Sequence, residues 1–150
     1  MSHLLRFNTL CKILDRWEPG LLHDERAYQD SLEKYLHTQF PKASIRKEYA
    51  HLGRRCDFLV IQIGRLGGRT ATVIELKANL CLQADFDRLL SQVSDLQSGR
   101  NNVVILLCGE SRRDFAEQLT KHLSQVSTLG ALRFLSDPYQ TVVMVKGNLR

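Results

Sequence analysis

Apolar positions follow a helical period in the first quarter of the chain, a period of two in the middle, and a mixture of the two afterwards. Leu4, Phe7, Leu10, Leu14 and Trp17 recur at intervals of three and four, which predicts an amphipathic helix over about residues 4–16, stopped by Pro19 and Gly20. Tyr28, Leu32, Tyr35 and Leu36 predict a second helix from Glu25 to Gln39, with Asp24 as its N-cap and Pro41 just past its end. "ASIRKEYAHL" then alternates, with Ile45, Lys47 and Tyr49 on one side, as in a half-exposed strand. "CDFLVIQIG" and "TATVIELK" are more continuously apolar. The glycine-rich "GRLGG" (Gly64 to Gly68) between them predicts a hairpin.

Helical spacing returns with Phe86, Leu89, Leu90, Val93 and Leu96, with Gly99 as a stop. "NNVVILLCG" is the kind of apolar run that a sheet buries on both faces. "SRRDFAEQLTKHLSQV" predicts a helix with Ser111 as its cap and Asp114 three residues on, "YQTVVMVKG" a last strand, and Leu132 to Leu135 an extra short strand. The order is α-α-β-β-β-α-β-α-β. Its β-α-β unit implies a parallel pair, so the expected fold class is α/β, with a mixed central β-sheet flanked by helices. The chain has 150 residues and shows neither repeats nor a linker, which fits one domain over 1–150, the N-terminal helix capping its core. The alternative for that helix is a dimer face.

Composition narrows the class. No apolar run approaches the roughly 18–20 residues that a membrane span needs, and the N-terminal stretch reads as mature protein rather than a signal peptide. Cys11, Cys56, Cys81 and Cys108 form no Cys-x-x-Cys pair and have no His at ligand spacing, which argues against zinc and suits a reducing cytoplasm. The net charge of +5 is compatible with a polyanionic partner without requiring one. The five histidines are scattered and lack partners at motif spacing, and no nucleophile elbow or P-loop is present.

One cluster of polar residues interrupts the buried strands. Asp57 begins the first strand of the hairpin, and Glu75 and Lys77 lie near the end of the second. Residues two apart on a strand share a face, and in an antiparallel hairpin the start of one strand lies beside the end of the other. Asp57, Glu75 and Lys77 are therefore expected to converge. Two close carboxylates raise each other's proton affinity, and a hard divalent cation such as Mg²⁺ or Mn²⁺ relieves that repulsion. A surface ion pair at a sheet edge is the competing explanation, but it does not account for three charges at one end of two apolar strands.

Asp57, the hairpin and Glu75-Leu76-Lys77 resemble the PD-(D/E)xK nuclease superfamily, over roughly Asp24 to Gly109. The αβββαβ core of this restriction endonuclease-like fold matches the element order from Glu25 to Cys108. The resemblance implies that Asp57, Glu75 and the backbone carbonyl of Leu76 bind Mg²⁺ (Mn²⁺ substituting), that Lys77 assists the attacking water, and that the substrate is DNA. Cys56 stands where the motif has Pro, a position often without Pro in the superfamily. Many members carry a Glu in the helix before the sheet. Glu25 shares a stripe with Gln29, Leu32 and Leu36 and is either that residue or simply an acid favoured in a first turn. Some branches place a Gln in the helix after the Glu-x-Lys strand. Gln92, at the edge of the apolar stripe, is either that residue or a solvated side chain. Arg54, Arg55, Arg65 and Arg69 are candidate contacts to a phosphate backbone, whereas Arg112 and Arg113 read as solvated. A chain this short has little extra surface for reading sequence, so a homodimer or a partner subunit is expected. The alternative to a nuclease is a module of the same fold that binds nucleic acid or a larger complex without cutting.

Overall fold

The computed structural model describes residues 3–51, 54–99, 101–133 and 139–150, with side chains described at 5–48, 56–99, 101–123 and 139–150. Four helices and seven strands follow in the order α1 (His3–Arg16), α2 (Glu25–Gln39), β1 (Ser44–His51), β2 (Arg54–Ile63), β3 (Arg69–Ala78), α3 (Gln83–Ser98), β4 (Asn102–Cys108), β5 (Glu110–Ser111), α4 (Arg113–Arg133), β6 (Thr141–Val145) and β7 (Asn148–Leu149). Five strands form a central sheet in the order β1-β2-β3-β4-β6. β1, β2 and β3 are a meander of antiparallel neighbours, while β3, β4 and β6 run parallel and are joined by helical crossovers. The sheet is mixed for that reason: hairpins can join only antiparallel strands, and parallel ones need a crossover.

Helices cover both faces. α1 and α2 bring Phe7, Leu10, Leu14, Trp17, Tyr28 and Leu32 against Phe58, Ile74, Leu76 and Val104. α3 and α4 bring Phe86, Leu89, Val93, Phe115 and Leu119 against Leu59, Val73, Val103 and Ile105. Alternate residues of each strand therefore belong to different cores, and β4 is buried along its whole length. Phe86 and Phe115 stack at 4.5 Å between ring centroids and join α3 to α4. The N-terminal helix packs inside the molecule as a cap, its Phe7, Leu10 and Leu14 almost fully enclosed.

Local signals act as their chemistry dictates at most element ends. Asp24 caps α2, accepting from the Ala27 N–H at 2.8 Å. The Gly99 N–H closes α3 on the Asp95 carbonyl. Two expectations are corrected. Ser111 does not cap α4. It lies in β5, and its hydroxyl accepts the Leu80 N–H at 3.2 Å, while the helix starts two residues later. The extra strand near Leu132 to Leu135 is not formed at its start, because α4 continues through Arg133; residues 134–135 lie outside the described residues. Ser111 has a nearer use because β5 pairs with β7 in a second small sheet, which draws residues 110–112 alongside the end of β3.

No described helix is long and apolar enough to cross a membrane.

Candidate metal and phosphate site

The ladder between β2 and β3 runs from Ile63 opposite Arg69 to Phe58 opposite Ile74. One step further stand Asp57 and Glu75. Here a side chain replaces the main chain as acceptor: Asp57 Oδ2 accepts the Leu76 N–H at 2.8 Å. The N–H and C=O of a strand residue point to the same side, so the Leu76 carbonyl also faces the β2 side, where Asp57 sits. β3 continues past this point only because β4 pairs with it as far as Ala78 opposite Cys108.

Glu75 is only 2% exposed. Its carboxyl group hydrogen-bonds with that of Asp57 and accepts from the Asp57 main chain, yet its Oε1 is fully enclosed with no hydrogen-bond partner. Burial pushes the pKa of Glu75 up to about 8; the Asp57 charge adds to this and Lys77 opposes it. Burial likewise raises Asp57, against the pull of the Leu76 N–H and the Lys77 ammonium. The two acids are thus a pair whose burial favours retaining a proton, because Lys77 and the Leu76 N–H compensate their charge only in part.

Lys77 and Glu25 complete the cluster. Lys77 Nζ lies 4.0 Å from Glu25 Oε1. The Glu25 carboxyl also accepts from the Ala78 main chain, and burial raises its pKa, with Lys77 opposing and Asp57 and Asp85 contributing. α2 begins at Glu25, so Asp24, by capping that helix, fixes where Glu25 stands. Gln92 lies on α3, which covers the face of the sheet from which Glu75 projects. Its Oε1 is also fully enclosed and without a partner. Two enclosed acceptor oxygens thus border the same layer, and an isolated enclosed acceptor is normally satisfied by something.

The donor set fits a hard divalent cation: two carboxylates whose mutual repulsion a positive charge would relieve, an unpartnered enclosed oxygen, and a carbonyl facing the pair. Among the described residues no group of three or more His, Cys, Asp or Glu side chains is arranged to hold a metal ion, so a third protein ligand would be the main-chain oxygen.

Asp57, Glu75, Lys77 and Glu25 are therefore brought together, with Gln92 on the covering helix. The arginines are distributed differently. Arg65 and Arg69 lie at the loop end of the hairpin, six residues of strand from Asp57, which is about 20 Å. They could meet a long polyanion bound at the acid pair, but not the same phosphate. Arg54 and Arg55 lie in β2 close to Asp57 along the chain, and their side chains are outside the described residues. Arg112 is exposed, in line with its reading as a solvated residue, and also packs over the Phe115 ring at 4.2 Å and pairs with Asp114.

The sequence alone did not point to Glu48. It lies on β1 between the residues paired with Phe58 and Cys56, adds to the raised pKa of Asp57, and has a φ of +51°. Non-glycine residues in the left-handed region cost energy and concentrate at functional sites; Glu48 and Asn79 are the two among the described residues. No sequence signal encodes the Glu48 conformation, because a positive φ at Glu has no composition cue.

No protein-family model, no curated protein and no solved structure matches this chain.

Proposed function

We propose that the protein is a metal-dependent nuclease of the PD-(D/E)xK type, with a restriction endonuclease-like core, which hydrolyses phosphodiester bonds of DNA. The observation that carries this reading is the Asp57–Glu75 pair: a buried and a half-buried carboxyl group in hydrogen-bond contact, the buried one with an unpartnered oxygen, beside a lysine. Stability alone does not favour such a pair, because burying carboxylates is costly unless a positive charge compensates them.

In this reading Asp57, Glu75 and the Leu76 carbonyl would hold Mg²⁺ or Mn²⁺. When bound, such a cation lowers the pKa of a coordinated water and offsets charge on phosphate oxygens. The chain's own groups do the rest. Glu25 restrains the Lys77 ammonium, which donates to the attacking water or to the developing charge on phosphate. Gln92 offers an acceptor for a water proton from the helix above. Arg54, Arg55, Arg65 and Arg69 supply positive charge along a bound strand, and a second copy or a partner subunit would extend the contact surface.

A second reading, a nucleic-acid-binding or interaction module without cleavage, is favoured by one detail: Asp57 Oδ2 already accepts the Leu76 N–H. One experiment separates the two. The purified protein is incubated with plasmid, linear duplex, branched and single-stranded DNA in Mg²⁺ or Mn²⁺, with an EDTA control and Glu75→Ala in parallel. Cutting that needs metal and disappears in the variant is the expected result. Binding without cutting of any substrate, and without a metal-induced rise in Tm, would replace the nuclease with the binding module.

A further inference from the structure

The central sheet has two edges, β1 and β6, and they are built differently. β1 carries three consecutive charged residues, Arg46, Lys47 and Glu48, and Glu48 takes a φ of +51°. Charge and an irregular backbone are the usual means by which an edge is kept from pairing with another chain. β6 has neither. From Thr141 to Val145 it reads Thr-Val-Val-Met-Val, without charge, glycine or proline. Thr141 to Met144 are half-buried and Val145 is 43% exposed. Among the described residues no strand lies beyond it.

The main-chain groups of β6 divide by position. β4 pairs with β6 in parallel; the Val103 N–H donates to the Gln140 carbonyl at 2.9 Å, and the Lys146 N–H to the Leu107 carbonyl at 2.7 Å. Gln140 and Lys146 thus face β4. Successive strand residues turn their N–H and C=O to opposite sides, so Val142 and Met144 face β4 too, while Thr141, Val143 and Val145 turn theirs away from the sheet. These three residues present an open row of donors and acceptors, symmetric about Val143. The row is held in place from both faces, because Val143 packs on one core and Val142 and Met144 on the other.

We infer that β6 pairs with β6 of a second copy of this chain, antiparallel about a two-fold axis at Val143, joining the two five-stranded sheets into one. In that arrangement Val143 exchanges both its hydrogen bonds with the partner's Val143, and Thr141 does so with the partner's Val145. Val142 lies beside the partner's Met144, apolar against apolar, and Lys146 falls opposite the partner's Gln140, so no like charges meet. That self-complementarity selects a second copy: every outward acceptor finds a donor, and each residue type faces a compatible one. Glu75, Ile105 and Val143 are in register across β3, β4 and β6. The two copies of Glu75 would therefore stand five strand spacings apart, about 24 Å. The pairing itself does not depend on what the acid pair does.

The test is analytical ultracentrifugation of the full chain over a concentration series, with NMR-detected amide hydrogen exchange at its two ends. The expected result is a monomer–dimer equilibrium in which the Val143 and Val145 amides exchange at least about tenfold more slowly as dimer forms, while Val142 and Met144, already bonded to β4, change little. Val143→Pro removes an outward N–H and no bond to β4, so it should abolish the dimer. Val145→Pro, at an exposed residue whose N–H also points outward, keeps the test intact if Val143→Pro does not fold. Val143→Lys and Val143→Glu should each be monomeric and an equimolar mixture of them dimeric, because the two-fold sets residue 143 opposite itself. A chain that stays monomeric up to submillimolar concentration would overturn the inference. So would a dimer that leaves the Val143 and Val145 amides unprotected or survives both proline variants, since its interface would lie elsewhere. Growth past the dimer into open-ended assemblies would overturn it as well, because a two-fold pairing of edges is closed.

Discussion

The two ends of the β2–β3 hairpin are built from the same pair of strands and treat their polar groups in opposite ways. At the loop end the chain closes on itself: the Gly64 N–H donates to the Gly68 carbonyl at 2.7 Å, Gly67 takes a φ of +84° and donates back to Gly64, and Arg6 reaches from α1 to Thr70. The turn tip, with Leu66 95% exposed, faces water. At the other end the buried Glu75 and the half-buried Asp57 hydrogen-bond to each other, have raised pKa values, and stand where a side chain has displaced the main-chain ladder. The first end chiefly completes the fold, although the enclosed Oε1 of Gln62 is left without a partner there. The second carries a strain that folding does not need, since two apolar residues there would extend the ladder at less cost. A site of that kind is maintained by what it binds.

Four substitutions test this contrast, the strongest first. Asp57→Ala should remove cleavage below detection together with any Mg²⁺-induced rise in Tm, because it deletes both a ligand and the partner of Glu75; DNA cleavage and thermal melting with and without metal check it. Lys77→Met should lower kcat by about 10²-fold, the usual loss for one aligned charge donor, with little change in metal-induced stabilisation. Single-turnover kinetics at saturating metal read this out.

The third concerns stability and pH. Folding raises the pKa of Glu75 from its ordinary 4.5 to about 8, so between those values the unfolded chain holds fewer protons than the native one. Native stability must then fall as pH rises through that window, by on the order of 5 kcal/mol for a shift of this size. Metal-free protein should accordingly melt at higher temperature at pH 5 than at pH 8.5. Glu75→Gln should flatten that dependence and be the more stable form at pH 8.5. A wild-type protein more stable at pH 8.5 than at pH 5 in EDTA would contradict the enclosed acid pair.

The smallest effect is expected at the loop end. Arg65→Ala with Arg69→Ala should weaken DNA binding only a few-fold, lower the salt dependence by about two phosphate contacts, and leave kcat unchanged. A large loss of kcat would mean that the hairpin tip and the acid pair, about 20 Å apart, act on the same phosphate.

Periodicity in the sequence was sufficient to place every strand of the central sheet and α1, α2 and α3 to within a few residues, because the hydrophobic effect acts on each segment separately; α4 runs to Arg133, well past the Val126 at which the sequence reading ended it. A stripe at intervals of three and four can be buried only as a helix, and an alternating run only as a strand. The neighbourhood of Asp57, Glu75 and Lys77 was legible for a related reason. A short hairpin fixes which residues of its two strands lie opposite each other, so local sequence carries a contact across nearly twenty positions.

What spacing could not supply is whatever depends on elements distant in the chain. The approach of Glu25 to Lys77 requires α2 to lie over the end of β3, and the enclosed oxygen of Gln92 requires α3 to cover the other face. The use of Ser111 to bind the Leu80 N–H depends on a two-residue strand pairing with the last residues of the chain, against the local rule that would make it a helix cap. Glu48 is in a left-handed conformation that its side chain does not favour, held there by the strands around it. A cavity lined by Arg6, Phe40 and Gln62 exists only because α1 returns to the hairpin. Sequence patterns report what each segment would bury; which enclosed polar atoms are left without a partner is decided only when all the segments are packed together.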